Sequence, residues 1–467
     1  KTLFPYTTLF RSDFSKPRII AEDLGIITAE VNALRQAIGV PGMRILQFAF
    51  DGLNTNPYLP HNHEAGTVVY SGTHDNDTTW GWWNTLAAHE RDYVRRYLGI
   101  TGEFNEWDLI RAALASVAAL AIVPLQDVLG LDSAARMNQP GLGEGYWEWR
   151  FSWHQVGPWH AERLAELARA AAVVRKLADA RILVVGDHPV GFDACNYDAQ
   201  LLKSRFGIDT ETTPVADFID TVKALPDSVA DAPYARRAKD FPNLGEMDQD
   251  ATRKSLKVYA ALSERAKKDG LDGIAVRCWP EFFTLYGCAA CGAISMLNED
   301  RVPGGCEADM FGVISSLVLQ WTSGHGVFNT DLVDIDPVSD TMVFWHCGQA
   351  PLEMADPDVQ PVATIHSNRK LPLLSQFPLK PGRITLCRIT QGEGKLRMML
   401  AGGEMLKAPL AYSGTSGVAR LDVHADVFRQ RLLDVGMEHH CSLTYGDHRP
   451  VLRQIARYLG LEIIELA

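Results

Sequence analysis

At 467 residues the chain is too long for one ordinary domain. Its 46% hydrophobic and 22% charged residues are those of a globular protein in water. A net charge of −12 argues against nucleic acid or an anionic membrane as partner, and no apolar run approaches the roughly 20 residues that span a bilayer.

With no secretory leader, the expected compartment is the cytoplasm. The eight cysteines all lie at or after Cys195. Cys288 and Cys291 form a lone CxxC without a second pair, so buried reduced thiols are expected rather than a four-ligand zinc site.

Thr2 to Ser12 reads TLFPYTTLFRS. It matches the translation of a common sequencing-adapter oligonucleotide, so residues 1–12 are set apart as an artefactual tail, with the true start lost upstream. From Asp13 the pattern alternates. Arg18 to Ala21 is a short apolar strand followed by Glu22-Asp23-Leu24-Gly25. Thr28 is placed to cap a helix over Ala29 to Ile38, whose Val31, Leu34 and Ile38 share one face. Further strands are expected at Arg44 to Phe50, Thr67 to Ser71 and Ala121 to Gln126, with a long helical region over Thr85 to Ala119. The apolar run from Ile110 to Val123 reads as a buried helix ending at Pro124. Polar clusters sit at strand C-terminal ends, which is the layout of a (β/α) barrel.

The motifs AEDLG, PGMRILQFAFD, NPYLPHN, VVYSGTHDNDT and VPLQDVLGL make this region, about 13–165, resemble the second half of amylomaltase, a 4-α-glucanotransferase. That resemblance implies a partial (β/α) barrel, with Glu22 as general acid/base, Asp75 as transition-state stabiliser, His74 as a sugar-binding residue and glucan as ligand. A retaining mechanism also needs a nucleophilic carboxylate about 5 Å from the acid/base. The family carries it in an Arg-x-Asp-His-type motif on an earlier strand, and this sequence has none, so the activity is expected to be absent. Trp80, Trp82 and Trp83 are open to two roles, stacking on sugar or packing in the core.

An Ala-rich helix over Glu162 to Leu177 leads into a different pattern. Arg181 to Gly186 and Gly273 to Val276 read as buried strands, and Asp198 to Phe206 as a helix, giving an α/β layered domain over 166–302. From 303 to 467 short strands at Thr341 to His346, Gly382 to Ile389, Leu396 to Ala401 and Val418 to Val423 suggest an antiparallel barrel or sandwich. A helix, Arg449 to Leu459, and a strand, Leu461 to Leu466, close the chain. The stretch from Gly304 to Cys347 places Glu307, Asp331 and His346 on strand ends and loops, with His439-His440 later. Oxygen-rich ligands with one or two imidazoles suit a hard or borderline divalent ion such as Mn²⁺ or Mg²⁺.

The segments VVGDHPVGFDACNYD, RCWPEFFTLYG, PGGCEADMFG, NTDLVDID, FWHCG and MEHHCSLTYGDH resemble the L-fucose/L-arabinose isomerase family over about Val174 to Ala467. The resemblance implies an aldose–ketose isomerase using Mn²⁺, or Mg²⁺ or Co²⁺ in its place. Glu307 and Asp331 would be both metal ligands and the acid–base pair, His440 a third ligand and His346 a further one. Trp279, Glu281, Trp345 and Gln349 are open to sugar contact or to packing behind the site. The family's first domain is missing from the match. It helps to close the site, often across a subunit boundary, so the homo-oligomer is expected to be lost with it. The partner expected is a small sugar, with a cloning or assembly chimera as the origin of the joined halves. Two other readings stand beside the isomerase: a non-catalytic chimera that binds metal or glucan, and a working glucanotransferase.

Overall fold

The computed structural model describes residues 19–25, 27–392 and 394–467. The tail and Arg18 lie outside them. The chain divides into two compact units, Lys1–Ala168 and Arg169–Ala467.

In the first unit, β1 (Gly42–Ile45), β2 (Thr67–Tyr70) and β3 (Leu120–Ile122) form a parallel sheet in that order. Thr28 caps the helix Ala29–Ala37 by accepting from the Val31 amide. The apolar face of that helix is not buried within the unit, since Val31 and Leu34 are 49% and 51% exposed. Several local expectations are corrected. Ile19 to Ala21 is not a strand: among the described residues its one backbone tie to the neighbouring segment is the bond from Ala21 N to the Pro41 carbonyl, 2.9 Å. The chain after β1 coils into a 3₁₀ turn, Leu46–Phe48, which buries Leu46. β3 ends at Ile122 because Pro124 opens a short helix, Leu125–Val128.

The long helical region is three helices, Thr79–Thr85, Ala88–Tyr97 and Glu106–Leu114. Gly99, at φ 65°, ends the second, and the Asn105 side chain caps the third. The run Ile110 to Val123 is therefore no buried helix; Val117 and Leu120 are each 49% exposed. Packing is the role of the tryptophans. Trp83 stacks on Phe104 at 3.9 Å, Trp80 donates to Glu106 at 2.8 Å, and Trp82 lies on Phe50 at 5.9 Å.

The second unit opens with a four-stranded parallel sheet in the order β5 (Asp209–Thr213), β4 (Arg181–Val185), β6 (Gly273–Val276), β7 (Gly304–Gly305). β6 is an unbroken apolar run buried along its length, as a sheet covered on both faces requires. Beyond it are β8 (Phe328–Asp336), β9 (Thr341–His346), β10 (Val362–Thr364), β11 (Leu374–Pro378), β12 (Gly382–Gly392), β13 (Lys395–Met405), β14 (Thr415–Leu421), β15 (His440–Tyr445) and β16 (Glu462–Glu465). The antiparallel pairings run β14–β9–β8–β15–β12–β13 and return from β13 to β14, so these strands close on themselves and leave no free edge among them. β11 and β16 attach outside the ring in parallel pairings.

The helix Met310–Ser323 lies at the centre of this unit. It is apolar nearly all round, which only a wholly buried helix tolerates. Met310, Val313 and Leu317 share one core with Ile182, Val184 and Ala275 of the parallel sheet and with Ile389, Met398 and Leu400 of the ring. Burying each such side chain is worth about 1.5–3 kcal/mol. The residue that precedes this helix, Asp309, is thereby held deep in the unit.

Candidate metal centre

Glu307 stands on the turn between β7 and the Met310–Ser323 helix. Both Glu307 and Ala308 are left-handed, with φ of 57° and 55°, a conformation that costs non-glycine residues on the order of 1–3 kcal/mol each. The carboxylate is held by two donors. Trp279 Nε1 lies 3.2 Å from Oε1 and His439 Nε2 3.1 Å from Oε2. Asp331 and His440 arrive from neighbouring strands, where they face each other directly in the β8–β15 register. His346, the last residue of β9, comes from the strand on the other side of β8.

These groups converge. His440 Nε2 is 3.8 Å from Glu307 Oε2, 3.5 Å from Asp331 Oδ1 and 3.3 Å from His346 Nε2. His346 Nε2 is in turn 4.0 Å from Asp331 Oδ2. Two features fit a divalent cation. Asp331 Oδ1 is buried without a hydrogen-bond donor, and two imidazole Nε2 atoms face each other where only one can donate. Two carboxylates and two imidazoles form the mixed oxygen–nitrogen set of a borderline divalent ion.

The orientation of His440 is set behind it. Its Nδ1 donates to Asp309 Oδ2 at 2.9 Å, which leaves Nε2 as the free lone pair facing the cluster. Asp309 is wholly buried and serves two further partners. Arg388 reaches it with both terminal nitrogens, at 2.6 and 3.1 Å, and the Gly312 amide donates to Oδ1 at 2.9 Å, capping the central helix. Burial alone would raise the Asp309 carboxyl, but Arg388 and His440 hold it well below the usual carboxylate range.

The same contest decides Glu307. Burial pushes its carboxyl up, and the hydrogen bond from His439 with the His440 and His346 imidazoles carries it below its ordinary value. His439 goes the other way: burial alone would lower it, but the bond to Glu307 together with the Asp331, Glu307 and Asp309 charges raises it. Burial would lower His346, yet the Cys347 thiolate and Asp331 carry it up to about 10. Cys347 is held down by hydrogen bonds from the Cys291 and Cys306 thiols, with His346 adding to the effect.

Asp331, His346 and His440 thus place ligand atoms within 4.8 Å of one another, and Glu307 meets His440 in an adjoining group with His439 and Cys195. Trp279 joins them through Glu307. Gln349 is fully buried, and its carbonyl accepts from Asn298 at 2.8 Å. Glu281 pairs with Arg277 at 2.8 Å, and Trp345 Nε1 donates to the Ser413 carbonyl at 2.8 Å. In the first unit Glu22 and His74 line a cleft of about 470 Å³ with Asp127 and Trp147. Asp75 lies 3.3 Å from His74 Nε2 and accepts from Asn138 at 2.6 Å.

Asp309, Arg388 and His439 were not assigned roles from the sequence. His439 carried a signal, as half of a histidine doublet, and Asp309 sits two residues from Glu307. Arg388 carried none, because its partner lies 79 residues away.

Comparison with known proteins divides the chain in the same way. A family profile described as 4-alpha-glucanotransferase matches residues 6–155, and one described as the C-terminal domain of L-fucose isomerase matches residues 375–467. The chain is 57% identical over 136 residues to the chloroplastic/amyloplastic 4-alpha-glucanotransferase of Arabidopsis thaliana, covering 29% of this chain and 24% of that protein. To the 4-alpha-glucanotransferase of Thermus thermophilus it is 50% identical over 165 residues, 34% of this chain and 33% of the other. It therefore spans a third or less of the length of these two relatives. With the sulfoquinovose isomerase of Priestia aryabhattai it shares 31% identity over 302 residues, 64% of this chain and 68% of that protein.

Proposed function

The C-terminal region of the chain belongs to the sugar-isomerase family of sulfoquinovose isomerase, and from that premise we propose a divalent-metal-dependent aldose–ketose isomerase, joined to a 4-alpha-glucanotransferase region without turnover of its own. The observation that carries the proposal is the meeting of Asp331, His346 and His440 from three strands, with Glu307 reaching His440 from the adjoining turn.

Interconverting an aldose and a ketose moves one proton between C1 and C2 through an ene-diol. The base must be ionised and next to the carbon, and the acid must return the proton to the neighbouring carbon or oxygen. Glu307 suits the base: its low pKa keeps it charged, and His439 and Trp279 fix its two oxygens. Asp331 is the partner carboxylate. A divalent ion held by Glu307, Asp331, His440 and His346 would polarise the two sugar oxygens whose hydrogens are exchanged. His440 is kept as the correct tautomer by Asp309, and the two imidazoles are buried while Glu307 and Asp331 stay partly exposed, open to a sugar.

The substrate we favour is a sulfonated sugar of the sulfoquinovose class. Arg369 is exposed and lies over the rings of Trp279 and Phe283, at 5.1 and 5.7 Å, beside the indole that holds Glu307. A guanidinium there offers a fork of donors to an anionic sugar substituent. Charge-assisted bonds of this kind are worth about 1.5–3 kcal/mol. Arg369→Gln is accordingly expected to lower kcat/KM for sulfoquinovose about 10- to 150-fold while leaving neutral sugars within about twofold. Equal losses on both classes would remove Arg369 from recognition.

The deciding assay is ketose formation by the chelator-treated full chain on sulfoquinovose, fucose and arabinose, before and after adding Mn²⁺, Mg²⁺ or Co²⁺. Turnover that appears only with added ion is the expected result. Folded protein that forms no ketose from any of these sugars with any of these ions would sink the proposal.

A further inference from the structure

Cys195 lies on the loop that follows β4. It ends the 3₁₀ turn Asp193–Cys195, is a free thiol and is 1% exposed. Its amide donates to the Phe192 carbonyl at 2.9 Å, and the Phe192 ring meets those of Trp279 and His439 edge-on at 5.4 and 5.6 Å. That contact seats the loop on the two side chains that grip Glu307. The ligand atoms of Cys195, Glu307, His439 and His440 all lie within 4.8 Å of one another. A thiol thus joins the carboxylate and both members of the histidine doublet around one point.

A buried thiol alone is ordinary packing, because free cysteine behaves as a small hydrophobe. Cys195 differs in what it faces, which is three polar ligand atoms. Zn–N and Zn–O bonds of about 2.0–2.1 Å set neighbouring ligands of a tetrahedral ion about 3.3 Å apart. Glu307 Oε2 stands 3.1 Å from His439 Nε2 and 3.8 Å from His440 Nε2, on either side of that edge. With a Zn–S bond of about 2.3 Å the sulfur would stand about 3.5 Å from the others, a shift on the order of 1 Å. A thiolate in the set selects ions of the zinc class, whereas the neighbouring Asp331, His346 and His440 offer no sulfur.

We propose that Cys195, Glu307, His439 and His440 form a site for a zinc-class divalent ion, and that filling it denies Glu307 and His440 to the isomerase ion. Binding exchanges the Cys195 thiol proton for a sulfur–metal bond, and the proton leaves to solvent. Exclusion follows from His440, which belongs to both groups. Its Nδ1 donates to Asp309, so Nε2 holds its one free lone pair and serves one ion at a time. The exclusion rests on the isomerase reading; the site itself does not.

The test adds Cd²⁺ to the reduced, chelator-treated full chain and follows the ultraviolet thiolate-to-cadmium charge-transfer band. One equivalent is expected to give the band. Cys195→Ser, which keeps the size of the side chain, should abolish it, and Asp331→Asn should keep it. His439→Gln should raise the Cd²⁺ needed for half the band at least about tenfold. Folded wild-type protein without the band overturns the site, as does a band of full intensity in folded Cys195→Ser. Mn²⁺ at about ten times its Kd should raise the Cd²⁺ requirement about tenfold. Mn²⁺ shown to be bound by its electron paramagnetic resonance, beside an undiminished band, overturns the exclusion. A chain that forms no ketose touches only the isomerase reading, because every readout here is spectroscopic.

Discussion

Glu307→Gln is expected to lower ketose formation about 10²- to 10⁴-fold, the range that a positioned acid–base group contributes. The amide keeps the shape and the left-handed backbone of the turn, so the denaturation midpoint should stay close to wild type. What is lost is the negative charge. Gln cannot accept a proton from carbon, and it is a weaker ligand opposite His440 Nε2, 3.8 Å away. Its Oε1 can still accept from Trp279, but the amide no longer favours protonated His439. The His439 pKa, raised in the wild type by that carboxylate, should fall, which an NMR titration of the imidazole would read. A variant that turns over within tenfold of wild type at saturating Mn²⁺ would assign the base elsewhere.

Asp309→Asn is expected to be strongly destabilising, by about 3–5 kcal/mol, because it leaves a fully buried Arg388 with only Glu438, 3.8 Å from its Nε, as counter-charge. Asparagine caps helices as well as aspartate does, so the bond to the Gly312 amide is retained and the loss reports on charge. Adding Arg388→Met should recover much of it, since removing both charges also removes the cost of burying them. The direction with pH is fixed by the depressed Asp309 pKa. Its unfolded value is about 3.9, so its contribution is fully present above that pH and is lost as pH falls through the folded value. Denaturation curves of wild type and Asp309→Asn should accordingly converge in acid and stay apart at neutral pH. Loss of the Asp309 acceptor also frees the His440 tautomer, and metal affinity is expected to fall about 10- to 100-fold. Unchanged stability at neutral pH would show that Glu438, not Asp309, compensates Arg388.

Much of the local structure was determined by the sequence alone. β6, β9 and the helix Arg449–Leu459 have the limits expected of them, because local chemistry decides each. A short apolar run between polar residues can only be a buried strand, and Pro450 with Gly460 brackets an amphipathic helix. The breaks within Thr85 to Ala119 were also local, carried by Gly99 and the Asn105 cap, and were passed over in favour of average helix propensity. The four residues proposed as ligands were named through family resemblance, not through spacing.

What only the tertiary structure decided was which of these residues meet. Asp331 and His440 become neighbours through a register that nothing within either strand encodes, since a slip of one residue would turn His440 to the other face. Asp309 and Arg388 find each other because one apolar helix is buried between a parallel sheet and a closed ring of strands. The CxxC pattern pointed to Cys288 beside Cys291, whereas the fold sets Cys291 against Cys347. Local sequence sets backbone preference and side-chain chemistry; the distances between groups far apart in the chain follow from packing the whole unit into one core.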